Sequence, residues 1–167
     1  MRAFVKAGTL VKKPRIVESH LPHPYNLSKE DDSTYYFETD KGLKYKAYFI
    51  EYSTPFYKLY SFSFDKAEGT GAHDARIKDT IMAILHDFFD NHDYILGYTC
   101  DVTDGRELSR KILFNRWFKE ANDGSLKKLD FQAENVYVSL IVYKDYFAID
   151  QAASDIEQLI HDVLAQK

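Results

Sequence analysis

Two glycines one residue apart, Gly69 and Gly71, lie in the stretch Lys66-Ala67-Glu68-Gly69-Thr70-Gly71, which leads through His73 to Asp74 and an apolar run at helical spacing. Glycines let a backbone approach a ligand closely, and the unpaired N–H groups of a helix's first turn attract phosphate. Lys66, Gly69, Thr70, Gly71 and His73 therefore form a candidate anion site, the alternative being a surface connection that ends in a helix cap at Asp74. Arg106 and Arg110 stand one turn apart on a second predicted helix, with Arg116 beyond them. Together Arg106 and Arg110 could grip a phosphate or carboxylate, or they could pair with Asp101, Asp104 and Glu107 close by in sequence.

The remaining chemistry-bearing residues point to no site. His20 and His23 have the spacing of two metal ligands, but zinc usually takes three or four, and no metal is expected. His86 and His92 fit a solvent-facing helix position and a helix end. Cys100 ends an apolar strand, where a buried thiol is the ordinary outcome. Lys44-Tyr45-Lys46 interleaves charge with an aromatic ring in the manner of a base-stacking surface. The strand period, however, puts Tyr45 on the face opposite both lysines, so sheet packing is expected there.

The elements that must position these residues follow from periodicity. Ser33 to Thr39, Leu43 to Ser53 and Phe56 to Phe64 read as strands, the first two joined by the turn Asp40-Lys41-Gly42 and the second pair by Thr54-Pro55. Tyr60, Phe62 and Phe64 share one face. A loop from Asp65 to His73 precedes a helix from about Asp74 to Asn91, with Ile77, Ile81, Ile84, Leu85, Phe88 and Phe89 on its inner stripe. Tyr94 to Asp101 is a buried strand in which Gly97 signals a bulge or a close backbone approach. Asp104-Gly105-Arg106-Glu107 resembles a capping box and opens a helix whose apolar residues are Leu108, Ile112, Leu113, Trp117 and Ala121. Leu126 to Gln132 and Val136 to Tyr143 form a hairpin around Ala133-Glu134-Asn135, and a helix from about Asp150 to Ala165 closes the order. Its inner residues are Ala153, Ile156, Leu159, Ile160, Val163 and Leu164.

The expected fold class is α+β: a central, mostly antiparallel mixed sheet flanked by helices, in the order β-β-β-α-β-α-β-β-α. One domain spans 1–167, with an N-terminal arm (1–32), a core (33–143) and a C-terminal helix (144–167). Pro22 and Pro24 favour an extended arm packed across the domain, with or without a short strand. With 45% hydrophobic and 29% charged residues the chain is ordinary globular material. A net charge of −4 without long blocks of one sign disfavours general nucleic-acid binding. One cysteine, the absence of a leader-like apolar stretch and the lack of any membrane-length apolar run lead us to expect a cytoplasmic protein.

The core order, a three-stranded meander, a glycine-containing loop, a helix, a central strand, a second helix and two final strands, resembles the central part of the GNAT N-acetyltransferase fold over about Ser33 to Tyr143. That resemblance implies coenzyme A or acetyl-CoA as cofactor, with its pyrophosphate at Lys66 to His73. It also implies Glu51 or Asp65 as general base if either stands at the cleft. Lys66 replaces the family's Gln or Arg, and Glu68 puts a negative charge where the anion sits. The family's Tyr on the second helix has no counterpart in Lys111 to Phe118, and Phe114 cannot donate its proton. The stretches Leu21-Pro22-His23-Pro24-Tyr25, Tyr98-Thr99-Cys100-Asp101 and Arg110 to Phe118 also resemble a family of uncharacterised bacterial proteins. Two functions from different classes are therefore expected: a degenerate acyl-CoA-binding N-acyltransferase-like protein, or a non-enzymatic module that docks a protein partner through aromatic residues.

Overall fold

The computed structural model describes residues 24–68, 75–90, 93–100, 105–133 and 136–165. His20, His23, Gly69, Thr70, Gly71, His73, Asp74, His92, Asp101, Asp104, Glu134 and Asn135 lie outside the described residues.

Among the described residues, seven strands and three helices follow one another as β1 (Ser28–Asp31), β2 (Thr34–Glu38), β3 (Lys44–Glu51), β4 (Lys58–Glu68), α1 (Ala75–Phe88), β5 (Tyr94–Thr99), α2 (Glu107–Ala121), β6 (Leu126–Ala133), β7 (Val136–Tyr143) and α3 (Ile149–Ala165). The strands form one sheet in the order β1-β2-β3-β4-β5-β7-β6. Neighbours are antiparallel except β4 and β5, which run parallel because α1 carries the chain back between them. The expected mixed α+β architecture is the one observed. Gly42 takes φ +75° in the β2–β3 turn, where its N–H bonds the Thr39 carbonyl at 2.9 Å.

Strand alternation sorts the side chains onto two faces. Tyr45, Phe62, Leu96, Ile141 and Tyr143 point towards α1 and α2 and form the larger core. Ile95, Leu140 and Val142 point the other way and are covered by Ile149 and Ala152 of α3, with Ile156 partly buried against them. Phe88 of α1 stacks on Phe49 at a centroid distance of 4.6 Å, which seats the helix on the meander.

The extended arm includes a short strand, β1, which pairs with β2; all four of its residues are exposed, so no apolar alternation marks its position. Part of the arm does pack down, since Tyr25 is buried and its N–H bonds Thr80 Oγ1 at 2.9 Å. Three expectations need correction. Lys66 and Glu68, expected in a loop, belong to β4 and pair with Tyr45 and Lys44. The capping box at Asp104 is not the start of α2: the cap position is Arg106, two residues later, and its side chain makes no capping bond. Finally, Leu108 and Ile112 are 53% and 61% exposed, and the stripe facing the sheet runs through Leu113, Phe114, Trp117 and Phe118. That helix carries apolar residues on two stripes, and of those expected from spacing Leu113 and Trp117 pack on the sheet while Leu108 and Ile112 do not.

Gly97 shows no bulge: β5 keeps register with both neighbours. It is instead a close approach, because a Cβ there would meet Leu59 Cδ1 at 3.3 Å and Leu140 Cδ2 at 3.5 Å.

Candidate functional site

β4 and β5 pair from Lys58↔Tyr94 to Ser61↔Gly97 and no further, although β4 continues to Glu68 and β5 to Thr99. Beyond Phe62 and Tyr98 the two strands part. α1 and α2 lie on the same face of the sheet. Between them is a cavity of about 880 Å³. Phe62, Phe64 and Leu96 lie on its floor, Met82 and Leu85 of α1 form one wall, and Phe114 and Trp117 of α2 form the other. The aromatic wall is self-supporting: Phe114 meets Phe64, Tyr98 and Trp117 at 6.0, 5.3 and 5.4 Å.

Two residues singled out from separate parts of the sequence meet at this cavity. Lys66, from the end of β4, and Arg110, from the first turns of α2, both line it, and Asp65 lies beside Lys66. Arg106 is exposed at the start of α2 and is not among the lining residues. Glu68 is engaged elsewhere, its carboxylate accepting from Lys44 Nζ at 2.7 Å, and that hydrogen bond holds its carboxyl below the usual range. The negative charge that stood against anion binding therefore has a cation of its own. Of the two carboxylates considered as bases, Asp65 borders the cavity, but it pairs with Lys46, and its carboxylate accepts weakly from the Tyr48 hydroxyl at 3.4 Å on the opposite face of the sheet. Glu51 is exposed and accepts from Tyr60 at 3.2 Å, away from the cavity lining.

Sequence inspection missed a polar group beneath α2. Lys128 and Asp130 on β6, Ser139 on β7 and Tyr98 on β5 share one sheet face, because Asp130 pairs with Ser139 and Ser139 with Tyr98. The Ser139 hydroxyl donates to Asp130 Oδ1 at 2.6 Å, and the Lys128 ammonium donates to Ser139 at 3.2 Å and to the same carboxylate. Tyr98 lines the cavity and reaches the Ser139 hydroxyl. Burial pushes the Tyr98 phenol up to about 12, against the lowering effect of Ser139. Burial also acts to raise the Asp130 carboxyl, but hydrogen bonds from Lys128 and Ser139 overcome it and hold the group low. The Lys128 side chain is 7% exposed and that of Asp130 41%, so the chain of groups runs from the cavity to solvent. The donors of Ser139 and Lys128 both turn to the Asp130 carboxylate, so the group is fixed in place on the sheet face behind Tyr98. On β6, Lys128 and Asp130 alternate with Leu129 and Phe131, a pattern that reads in sequence as a wet face.

Cys100 is buried, and burial raises its thiol despite nearby Arg110, Lys128 and Lys111. His86 is exposed on α1 at the cavity's edge. Among the described residues, no group of three or more His, Cys, Asp or Glu is placed to hold a metal ion, and no helix is long and apolar enough to cross a membrane.

A seven-stranded mixed sheet in which, among the described residues, one parallel pair opens onto a cavity defines a mixed α+β fold. Residues 73–164, more than half of the chain and the whole stretch from α1 nearly to the end of α3, match the family of unknown function DUF6169, and the chain belongs to that family. No curated protein and no solved structure matches it.

Proposed function

We propose that this protein binds a coenzyme A thioester in the cavity between α1 and α2 and is a GNAT-like N-acyltransferase with an altered proton donor. One observation carries the proposal: the parallel strands β4 and β5 part after Ser61 and Gly97, and Lys66 and Arg110 converge on the cavity that opens there. The resemblance in chain order adds support, because it implies coenzyme A at the loop that follows β4. In this reading the phosphates lie against Lys66, the amides of Gly69, Thr70, Gly71 and His73, and Arg110, with Arg106 at the outer margin. The thioester end lies deeper, beside Tyr98.

The chemistry is acyl transfer to an amine. The amine nitrogen attacks the thioester carbonyl, a C–N bond forms, the C–S bond breaks, and the departing thiolate takes a proton. Phe114 stands where no proton can be given, and Tyr98, its ring 5.3 Å from that of Phe114, is the hydroxyl in the cavity that replaces it. The proton lost by the amine passes to solvent at the open end of the cleft. The tyrosine-rich composition gives no support to the alternative of a docking module, since Tyr52 is the single exposed tyrosine of thirteen.

Calorimetric titration with coenzyme A and acetyl-CoA tests the proposal. The expected result is micromolar binding, about −8 kcal/mol, lost in the Lys66→Glu/Arg110→Glu and Gly69→Glu/Gly71→Glu variants. A folded protein that takes up no coenzyme A at millimolar concentration overturns it.

A further inference from the structure

The cavity is much longer than a two-carbon acyl group requires. Strand register places Tyr60, Leu96 and Ile141 level across β4, β5 and β7. Lys66 lies six residues beyond Tyr60 in one direction, and Tyr143 two residues beyond Ile141 in the other, yet both line the same cavity. Eight residue steps at about 3.3 Å give a span of about 26 Å along the strands. A volume of about 880 Å³ is near the upper end of ordinary small-molecule sites, which run from about 300 to 1,000 Å³.

The two ends differ in charge and the middle has none. Lys66 and Arg110 stand at one end, where Arg110 also raises the positive potential at Cys100. At the other end Asp90 and Asp123 both act on the Tyr143 phenol, whose hydroxyl donates to the Phe89 carbonyl at 2.7 Å. Between them, Phe62, Leu96, Leu113, Trp117 and Ile141 present apolar surface. A long, narrow, apolar space with cations at one end only suits an amphiphile: an anionic head at Lys66 and Arg110, and a flexible hydrocarbon chain laid between the helices and the sheet. Acidic groups at the far end oppose entry of a head group from that side.

We propose that the natural occupant carries a medium or long acyl chain, housed between α1 and α2 with its terminal methyl towards Phe89 and Leu126. As a statement about substrate class this rests on the coenzyme A reading given above. The cavity chemistry itself is shared by an acyl-CoA and a free fatty acid.

The test is calorimetric titration of the full chain with coenzyme A, with acetyl-, octanoyl-, dodecanoyl- and hexadecanoyl-CoA, and with octanoate and dodecanoate, all below their micellar concentrations. Affinity is expected to rise with chain length, by up to about fourfold for each methylene the cavity buries. Leu113→Trp, which fills the middle of the cavity, is expected to abolish that rise while leaving acetyl-CoA binding within about twofold. Should Leu113→Trp fail to fold, Ala121→Trp, on the exposed end of α2 at the cavity's edge, carries the same test. Coenzyme A and acetyl-CoA binding as tightly as the long-chain thioesters overturns the chain proposal and leaves the coenzyme A reading standing. Binding of dodecanoate without any coenzyme A binding supports an acyl-chain site, identifies the free acid as its source and removes the coenzyme A reading. Failure of every ligand removes both.

Discussion

At Tyr98 burial raises the phenol more than Ser139 lowers it, and the balance leaves a weak acid. Tyr98→Phe keeps the ring packed on Phe114 and removes only the hydroxyl. Thioester affinity is expected to stay within about threefold, with transfer to an amine falling roughly 10²- to 10⁴-fold; single-turnover thiol release measures both, and unchanged release would exclude Tyr98 as the acid. A second residue gives a pH signature. Asp79 is buried on α1, its Oδ2 lacks a hydrogen-bond partner, and burial raises its carboxyl against the pull of Lys78. A folded-state value above the unfolded 3.8 means the native protein holds this proton longer, so its contribution to stability falls as pH rises above about 4. Asp79→Asn should therefore raise the melting temperature at pH 7 and give little gain at pH 3, as thermal melts across that range would show. A destabilised variant at pH 7 would mean the carboxylate is needed as such.

Elements decide where the cleft opens. β5 is clamped between β4 and β7 up to Gly97, whose missing side chain lets Leu59 and Leu140 close over the α3 face. The cavity lies on the opposite face, so packing and ligand binding can be separated at this position. Gly97→Val is expected to cost about 1–3 kcal/mol through overpacking, visible as a lower urea midpoint, with ligand affinity unchanged. A change in affinity instead would show that the separation of the strands depends on this contact. α3 holds its own face partly through the Tyr57 hydroxyl, which donates to Asp155 at 2.7 Å.

For the molecule as a whole, an occupied cleft ties α1 to α2 across the open part of the sheet. Lys78 and Glu120 already bridge the two helices, but this is a surface pair of small worth. A ligand present at a hundred times its dissociation constant adds about 2.7 kcal/mol to stability. For a domain of this size that corresponds to a rise of roughly 5–10 °C in melting temperature. Coenzyme A is expected to produce such a shift in the native chain and none in Lys66→Glu/Arg110→Glu, measured by differential scanning fluorimetry. Equal shifts in both would place the ligand elsewhere.

Much of the architecture was legible before any coordinates. The 3,4-spacing of Ile77, Ile81, Ile84 and Phe88 determined α1, and alternation with Gly42 in the turn determined the meander, because both signals report one wet and one dry face. The candidate residues Lys66 and Arg110 were also visible as types. The position of β1 was not, since an exposed edge strand makes its bonds through the backbone and leaves no side-chain pattern. Nor was the inward stripe of α2, where Leu108 and Ile112 compete with Leu113 and Trp117 and only packing on β4 and β5 chooses between them. Tertiary structure alone brought Lys66 and Arg110 to one cavity and joined Tyr98, Ser139, Asp130 and Lys128 into one chain. Those pairings depend on strand order and on the point where β4 and β5 part, and neither is written in the local period of any segment.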